Sequence, residues 1–474
     1  MLGSRNRISA TCADELRVAI SGDVALPGDA FYEAGSRVWN GAVRHRPAIV
    51  AFCNGAEDVQ AAVHAARRHG LALAVRGGGH DWAGRALRDN GLVIDLTRMR
   101  EVIVDPRARV ATVAGGALTN DVAAAAGAHN LLAALGNCGT VGMAGLTLGG
   151  GYGPLSGSCG LAADNLLGAE IVLADGRRVT TSPDAEPDLF WALSGGGGNF
   201  GVATALDVRL HEARDLLTAT ITYNWNEAGA VLRRYAAFAA TAPDELGLPV
   251  AMMSGPDGEP IIVIVALWNG ERCEGERVMN NALVFGTPQS AQIGPTTYPD
   301  MLAPVDAWVA AGDGCHWEIR TRWLPALTPG AADATITAMG RRASPYCSVF
   351  WHHAHGAATR MAPDRTAFGL RREHFMVEII AGWQPDGDDG TAHRRWAQDL
   401  WQSLAPFALP GGYANLLGPN DREQACAAYG GNAARLAALK RRFDPDGVFG
   451  SAIPLPDSRP GPAVLESQDR RFGP

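Results

Sequence analysis

Three glycine-rich segments restrict what this chain can fold into more than any other feature. They occupy residues 76–80, 136–153 and 195–201, and the first ends in a histidine, His80. Glycine lets backbone N–H groups approach an anion closely, and successive N–H groups can form an anion-binding concavity. One such segment could be an ordinary turn, but three of them, each beside a predicted strand or helix, indicate a phosphate-binding site.

A Rossmann site for a nicotinamide dinucleotide is one alternative use of these glycines. That site requires the pattern GxGxxG directly after the first strand of a βαβ unit, with an acidic residue about 20 positions further on. Gly149, Gly150 and Gly151 do not follow a strand in that manner. The sequence therefore disfavours a nicotinamide-dependent dehydrogenase.

The chain has 474 residues, which is long enough for more than one domain. Residues 1–212 mix short predicted strands and helices, whereas residues 213–410 contain long apparent strands with helices between them. The second pattern indicates an α+β domain built on an antiparallel sheet that helices cover. Residues 411–455 form a short closing segment, and the tail 456–474, rich in Pro, Gly and charge, is predicted to be flexible.

Local signals predict individual elements in the first unit. Asn54 is a candidate helix N-cap because Glu57 follows three residues later, and Gly70 is the candidate end of the same helix. The pair Asp175 and Gly176 predicts a hairpin turn between two strands.

Composition and charge argue against several protein classes. A formal net charge of −8 makes the chain a poor candidate for binding nucleic acid or anionic lipid. No apolar run reaches the roughly 18 residues of a membrane span, and the first residues lack the apolar region of a secretory signal. The 8 cysteines are scattered without a CxxC pair, which argues against zinc and fits thiols in a reducing compartment. We therefore expect a cytoplasmic protein, monomeric or homodimeric, with no metal and no membrane partner.

The order and spacing of the glycine-rich segments resemble a family pattern. AVRGGGHDWAG, then GNCGTVGMAGLTLGGGYGPLSGSCGLAADNLLGAEIVLADG, then DLFWALSGGGGNFGVAT resembles the vanillyl-alcohol-oxidase (PCMH-type) FAD-binding domain, and more narrowly its berberine-bridge-enzyme-like branch. The stretches YAN and AAYGGNAARLAALKRRFDPDGVF resemble that branch's closing segment. The resemblance covers about residues 45–455. It implies an α+β, two-lobed FAD-binding domain with its core at about 45–212, and a separate substrate domain.

The resemblance implies that FAD is held covalently. In the family, the histidine that ends the RxGGH motif bonds the flavin 8α-methyl carbon, and His80 has that position. Bicovalent members also carry a cysteine that bonds flavin C6, and Cys138 has that position, although the usual Pro after it is Gly139 here. If only one bond forms, we expect it at His80. Two bonds are expected to raise the reduction potential of the flavin.

The rest of the FAD site is also implied by the resemblance. Backbone N–H groups of 76–80 and 140–145 would hold the pyrophosphate, and Val141 would lie where the family controls oxygen access, with valine typical of oxidases. The implied cofactor-binding residues are Arg76, Gly77, Gly78, Gly79, His80, Cys138, Thr140, Val141, Gly142, Gly145, Tyr152, Gly201, Val202 and Asn415.

A hydride transfer also needs a group that takes the neighbouring proton. Family members that oxidise sugars or alcohols use a Tyr of the closing segment, and Tyr413 matches it, with Tyr152 beside the flavin loop as the second candidate. Plant members use a Glu whose position is Arg365 here, so their mechanism does not carry over. Asp364, one residue earlier, is expected to cap a turn.

The resemblance therefore implies an FAD-linked oxidase. The expected substrate is a small molecule that loses a hydride from an alcohol or sugar-type carbon, or from an amine or reactive C–H, and O₂ would then be reduced to H₂O₂. Glu378, His353 and Trp383 lie on predicted strands and are candidates to line the substrate pocket, with ordinary sheet positions as the alternative. A dehydrogenase with another electron acceptor and a non-catalytic flavin-binding protein remain the alternatives.

Overall fold

A computed structural model describes residues 2–419, 421–450 and 452–455. The flexible tail predicted at 456–474 lies outside these residues. Three sheets organise the described chain, with four, six and eight strands. This combination of helices with mostly antiparallel sheets confirms the predicted α+β class.

The first lobe is built on a small, largely parallel sheet in the order β1-β2-β4-β3. β2 and β4 are buried along their whole length, as expected for inner parallel strands with apolar sequences such as IVAF. Its elements are α1 (Leu2–Ala19), β1 (Asp23–Ala25), α2 (Tyr32–Gly35), β2 (Ile49–Phe52), α3 (Ala56–His69), β3 (Leu73–Arg76) and β4 (Leu92–Asp95).

Helix α3 begins one residue later than the sequence suggested. Its N-cap is Gly55, so the prediction that Asn54 caps it is wrong. The backbone N–H of Asn54 instead donates to the carboxylate of Asp58 at 2.9 Å, and the same carboxylate accepts from Ser21. The predicted end is confirmed, because Gly70 adopts a left-handed φ of +64° that favours glycine.

The second lobe is an antiparallel sheet in the order β5-β6-β10-β8-β9, with β7 paired to β10. The predicted turn at Asp175 and Gly176 joins β8 to β9, and Gly176 has a φ of +85°. Its elements are β5 (Val102–Asp105), β6 (Val110–Ala114), α4 (Thr119–Gly127), β7 (Leu131–Ala133), α5 (Met143–Leu148), α6 (Ser156–Cys159), β8 (Leu166–Leu173), β9 (Arg178–Thr181), α7 (Pro187–Leu193) and β10 (Gly201–Glu212).

The third sheet has the order β15-β11-β14-β13-β17-β18-β16, with β12 paired to β14, and every pairing is antiparallel. The elements after β10 are β11 (Asp215–Asn224), α8 (Ala228–Ala239), β12 (Leu246–Gly247), β13 (Val250–Ser254), β14 (Pro260–Gly270), α9 (Arg272–Asn280), β15 (Pro288–Pro295), α10 (Tyr298–Ala311), β16 (His316–Leu324), α11 (Pro329–Met339), β17 (Ser348–Ala354), α12 (Ala357–Arg360), β18 (His374–Trp383), α13 (Thr391–Ser403), α14 (Arg422–Ala428) and α15 (Ala433–Phe443).

The two faces of this third sheet have different neighbours. On β11, Leu217, Ala219 and Ile221 are buried in a core shared with α8, α11 and α13. The alternate residues Thr218 and Thr220 face a cavity on the other side. Because successive side chains on a strand point to opposite faces, the sheet presents one face to the core and one to the cavity.

The chain after β18 returns to the first two lobes. Lys440 on α15 donates to the backbone oxygen of Asn199 at 2.7 Å, and Arg435 and Arg442 both pair with Asp188. Within the described ranges, no helix is long and apolar enough to cross a membrane, and no three metal-binding side chains cluster.

A buried ion pair joins the second lobe to the loop after α12. Arg371 contacts both carboxylate oxygens of Asp164, at 2.6 and 2.8 Å, and their side chains are 0% and 5% exposed. Arg371 also donates to the backbone oxygens of Ala358 and Phe368, so its donors are well satisfied. The pair holds the loop that carries Phe368 against Tyr152, with ring centroids 5.9 Å apart.

Arg371→Met is expected to lower the free energy of unfolding by about 3–5 kcal/mol, because it leaves the buried Asp164 carboxylate without a counterion. The control Arg360→Met breaks an exposed pair with Asp244 and should cost less than about 1 kcal/mol. Thermal and denaturant unfolding of both variants measure the difference. Equal losses of stability in the two variants would contradict this account.

Candidate active site

A cavity of about 790 Å³ lies where the three sheets and the closing segment meet. This volume is within the range of about 300–1,000 Å³ that is typical of small-molecule and cofactor sites. A second hollow, of about 540 Å³ around Arg109 and His211, contains none of the predicted site residues. The larger cavity is therefore the candidate site.

Most of the predicted site residues line this cavity. Of the predicted cofactor-binding and base residues, only Arg76 and Thr140 are missing from the wall; those that line it are Gly77, Gly78, Gly79, His80, Cys138, Val141, Gly142, Gly145, Tyr152, Gly201, Val202, Tyr413 and Asn415. Arg76 instead pairs with the buried carboxylate of Asp95 at 2.6 Å and donates to the backbone oxygen of Arg37. It therefore fixes the end of β3 from which the first glycine loop departs.

Two glycine loops meet at backbone distance. A Cβ atom on Gly142 would lie 2.6 Å from the nitrogen of Gly78, and a Cβ on Gly78 would meet the Gly142 backbone still more closely. Gly79 has a φ of +72°, which L side chains rarely adopt. Gly78 and Gly142 require glycine because any side chain there would force the two loops apart, and Gly79 favours glycine because of its φ.

Several backbone N–H groups of the two loops have no acceptor within the described chain. Those of residues 77–80 and of 141, 142 and 145 donate to no other residue of the described chain. Backbone N–H groups that are removed from water normally find an acceptor, and a row of free ones is suited to an anion such as a pyrophosphate. The residues present therefore fit the phosphate part of FAD, and the apolar sheet wall fits its rings.

His80 lies deep in the protein with its ring open to the cavity. Its Nε2 atom is 2.8 Å from the hydroxyl of Thr140, and Trp39 stacks beside the ring, with centroids 6.0 Å apart and planes 11° apart. Burial lowers the pKa of His80 to about 4, although the charge of Asp306 opposes this. The imidazole is therefore neutral near pH 7 and keeps a nitrogen lone pair.

Cys138 is joined to His80 through the same hydroxyl. Its Sγ is 3.1 Å from Thr140 Oγ1 and donates to Asp306 Oδ1 at 3.3 Å. The pKa of Cys138 is raised to about 11, mainly by burial and also by the charge of Asp306, whereas the hydrogen bonds with Thr140 oppose the rise. The sequence reasoning missed Asp306 because this residue lies on α10, far along the chain from Cys138.

Tyr413 is held by two donors that aim at its oxygen. The backbone N–H of Gly151 donates to the phenol oxygen at 3.0 Å, and the side-chain amide of Asn415 donates to it at 2.9 Å. Burial raises the pKa of Tyr413 to about 12, and both donors oppose that rise because they favour the phenolate. With both bonds accepted, the phenol proton is free to point into the cavity.

Tyr152 is arranged differently. Its hydroxyl lies 2.6 Å from His374 Nε2, and His374 Nδ1 lies 2.6 Å from the backbone oxygen of Arg372. A carbonyl can only accept, so Nδ1 carries the proton and Tyr152 must donate to Nε2. Burial also raises the pKa of Tyr152 well above its usual value. Of the two candidates, Tyr413 is the better placed to take a proton.

The sheet wall carries a polar group that the sequence reasoning missed. His352 Nδ1 is 3.2 Å from the amide nitrogen of Asn137, and its Nε2 is 3.5 Å from Glu378. Glu378 lines the cavity as proposed, whereas His353 and Trp383 do not. His353 points to the opposite face of β17, as strand alternation requires, and Trp383 stacks on a helix residue. The alternation of side chains along β17 is the sequence signal that could have identified His352, rather than His353, as the histidine facing the cavity.

The chain is similar to known proteins over nearly its whole length. Family models described as "FAD binding domain" and "Berberine and berberine like" match residues 47–182 and 413–456. The chain is 39% identical to an FAD-linked oxidoreductase of Aspergillus terreus, with 93% of this chain and 95% of the relative covered. It is 29% identical to (R)-6-hydroxynicotine oxidase of Paenarthrobacter nicotinovorans, with 91% and 96% covered.

The fold is likewise similar to a solved structure. The crystal structure of 6-hydroxy-D-nicotine oxidase from Arthrobacter nicotinovorans has a TM-score of 0.85 against this chain at 28% identity, and the match covers 92% of this chain and 98% of that one. The span 47–182 includes the first two glycine-rich segments with His80 and Cys138, and the span 413–456 includes Tyr413.

Three buried histidines should make the protein sensitive to acid. Burial lowers the pKa of His80, His353 and His374 to about 4, against about 6.5 in an unfolded chain. As pH falls from about 6.5 to 4, the unfolded state binds protons that the folded state does not, so stability is lost in this window. Thermal unfolding between pH 7.5 and 4.5 tests this expectation. An unchanged Tm between pH 7 and 5 would contradict it, and His353→Gln should make the dependence shallower.

Proposed function

Because the chain belongs to the berberine-like family of FAD-linked oxidoreductases, we propose that it is an oxidase that holds FAD covalently and takes a hydride from a small molecule. The observation that carries the proposal is the convergence of His80, Cys138 and Tyr413 on one cavity, although these residues come from distant parts of the sequence. Family membership makes the chain an FAD-linked enzyme, and the covalent bonds, the base and the electron acceptor are the proposed parts.

The two glycine loops would hold the cofactor. The free N–H groups of residues 77–80, 141, 142 and 145 would receive the phosphates, and Gly201 and Val202 would lie beside the adenine. His80 and Cys138 would bond the flavin ring, since a neutral imidazole and a thiol that can lose its proton are nucleophiles. When bound, FAD supplies the acceptor for the hydride.

Tyr413 would take the proton from the substrate hydroxyl or amine as the hydride leaves. Gly151 and Asn415 would stabilise the phenolate that forms, because both donate to its oxygen. Tyr152 would instead pack edge-on against Tyr413, with ring centroids 4.9 Å apart, and limit its motion. The neighbouring aromatic residues would also keep water away from this proton transfer.

The cavity wall supports a substrate with an apolar body. The sheet side is lined mainly by apolar side chains, among them Met253, Val263 and Phe350. An alcohol whose hydroxyl reaches Tyr413 is the favoured substrate. An amine is the second candidate, because the Glu378 carboxylate beside His352 could bind a cation and because a relative with 29% identity is named a hydroxynicotine oxidase.

O₂ is the proposed second substrate. Val141 lines the cavity at the position where the resemblance implies control of oxygen access. Production of H₂O₂ in step with oxygen consumption, measured over panels of alcohols, sugars and cyclic amines, tests the oxidase proposal. Turnover with dyes only would support the dehydrogenase alternative, and bound flavin that no substrate bleaches anaerobically would support a non-catalytic flavin-binding protein.

The covalent bonds predict a flavin that survives denaturation. Intact mass of acid-precipitated protein should exceed the chain mass by about one FAD. His80→Ala and Cys138→Ser should each retain bound flavin through the other bond, whereas the double variant should release all of it. Complete release from the unaltered protein would refute covalent attachment.

Tyr413→Phe should lower kcat/KM by about 10²–10⁴-fold, which is the usual contribution of a positioned acid or base. Flavin content and the visible spectrum should stay normal, because the phenol oxygen is not part of the proposed flavin bonds. Tyr152→Phe is the matched control and should retain more activity. Equal losses in the two variants would contradict the assignment of the base.

Asn415→Leu tests whether the Asn415 side chain lowers the pKa of Tyr413. The phenolate is the active form, so kcat/KM should rise with pH until Tyr413 is ionised. Loss of one donor raises the pKa of Tyr413, and the rising limb should therefore move to higher pH. A pH profile of kcat/KM for the variant measures the shift, and an unmoved limb would show that Asn415 does not tune this group.

A further inference from the structure

The glycine that replaces the family's usual proline after Cys138 makes a hydrogen bond that proline could not make. The backbone N–H of Gly139 donates to Asp306 Oδ1 at 2.6 Å. Proline, the usual residue at this position in the family, has no N–H to make this bond. A Cβ on residue 139 would also lie far inside contact distance of Asp306 Oδ2. Gly139 is therefore the residue that allows this carboxylate to approach the loop.

The same carboxylate reaches the reacting sulfur. Asp306 Oδ1 accepts from Cys138 Sγ at 3.3 Å, and within the described chain no other carboxylate is hydrogen-bonded to that sulfur. Asp306 lies on α10, whose neighbouring residues Val305 and Trp308 line the cavity. The carboxylate is thus held at the cavity edge by one backbone donor and one thiol.

The thiol needs a proton acceptor before it can bond carbon. A thiolate is the nucleophilic form of cysteine, and burial together with the negative charge of Asp306 keeps Cys138 protonated near pH 7. A free thiolate beside Asp306 is disfavoured by like charge. Loss of the proton onto Asp306 while the new bond forms avoids that repulsion, because only one negative charge is present at any time.

We propose that Asp306 accepts the Cys138 proton as the sulfur bonds flavin C6. The inference rests on the proposed function, because it needs a Cys138 bond to form. The S–H bond breaks and its proton moves to Asp306, the S–C6 bond forms, and the C6 hydrogen leaves as a proton. The two electrons released pass to O₂, so the sum is thiol plus FAD plus O₂ giving the thioether plus H₂O₂.

The relay through Thr140 to His80 is the rival route for this proton. Thr140 Oγ1 lies between the two residues, 3.1 Å from Cys138 Sγ and 2.8 Å from His80 Nε2. If the proton took this route, the Cys138 bond would form only when His80 is present as the proton acceptor, and Asp306 would have a structural role only. The two routes therefore predict opposite results for the variants below.

Peptide mapping of the denatured holoprotein tests the proposal without measuring turnover. After alkylation, a free Cys138 carries the reagent, whereas a bonded one carries FAD. Asp306→Asn keeps an acceptor for the Gly139 N–H but is a far weaker base, so the share of chains bonded at Cys138 should fall at least ten-fold. The bond at His80 should persist in the same sample and show that the variant has folded and bound FAD.

Two further variants complete the test. Gly139→Ala displaces the carboxylate while keeping the thiol, and it should lose the Cys138 bond to a similar extent. Asp313→Asn removes an exposed carboxylate just beyond α10 and should keep the bond.

The outcomes distinguish the role of Asp306 from the formation of the Cys138 bond itself. Asp306→Asn with an undiminished Cys138 bond overturns the role of Asp306 and leaves covalent attachment intact. Unaltered protein with a free, alkylated Cys138 overturns the proposed bond itself. Loss of the Cys138 bond in His80→Ala, together with its retention in Asp306→Asn, establishes the rival relay.

Discussion

The close backbone contact between the loops at 76–80 and 138–142 is the constraint on which the rest of the site depends. Gly78 and Gly142 have no room for side chains, so the two loops lie side by side, and the N–H groups of residues 77–80, 141 and 142 have no protein acceptor in the described chain. Arg76 fixes the first loop through Asp95, and pairing of Thr119 with Val141 fixes the second. Two turns, one from each of the first two lobes, thereby form one anion-binding wall. His80 and Cys138, which lie on these turns, line the same cavity.

The reactive groups are kept uncharged until a cofactor enters. Burial holds His80 neutral and Cys138 protonated, and Tyr413 keeps its proton although two donors point at its oxygen. A low-dielectric cavity would make isolated charges costly, whereas it strengthens every hydrogen bond to a charge that develops during reaction. Burial therefore keeps isolated charges out of the site at neutral pH, and Cys138 and Tyr413 must each lose a proton before they can act as nucleophile and base.

Sequence alone predicted the parts of the site that are local along the chain. The glycine segments, His80 and Cys138 stand in short motifs, and the long apparent strands predicted within residues 213–410 include β11. Tyr413 required the family resemblance, because nothing near it marks a base. Asp306 and His352 were missed because they reach the cavity only through the packing of α10 and β17 against the glycine loops.

The helix cap at Asn54 failed because Asp58 offers a better acceptor for its N–H. The domain limits at residues 212 and 410 stay predictions.

The most direct measurement is a crystal structure of the protein purified with its flavin. The account predicts electron density for FAD in the 790 Å³ cavity, with phosphates against the N–H groups of residues 77–80, 141, 142 and 145 and the flavin ring joined to His80. Tyr413 should then face the reacting side of the ring. Flavin density elsewhere, or phosphates that do not contact either glycine loop, would contradict the central claim.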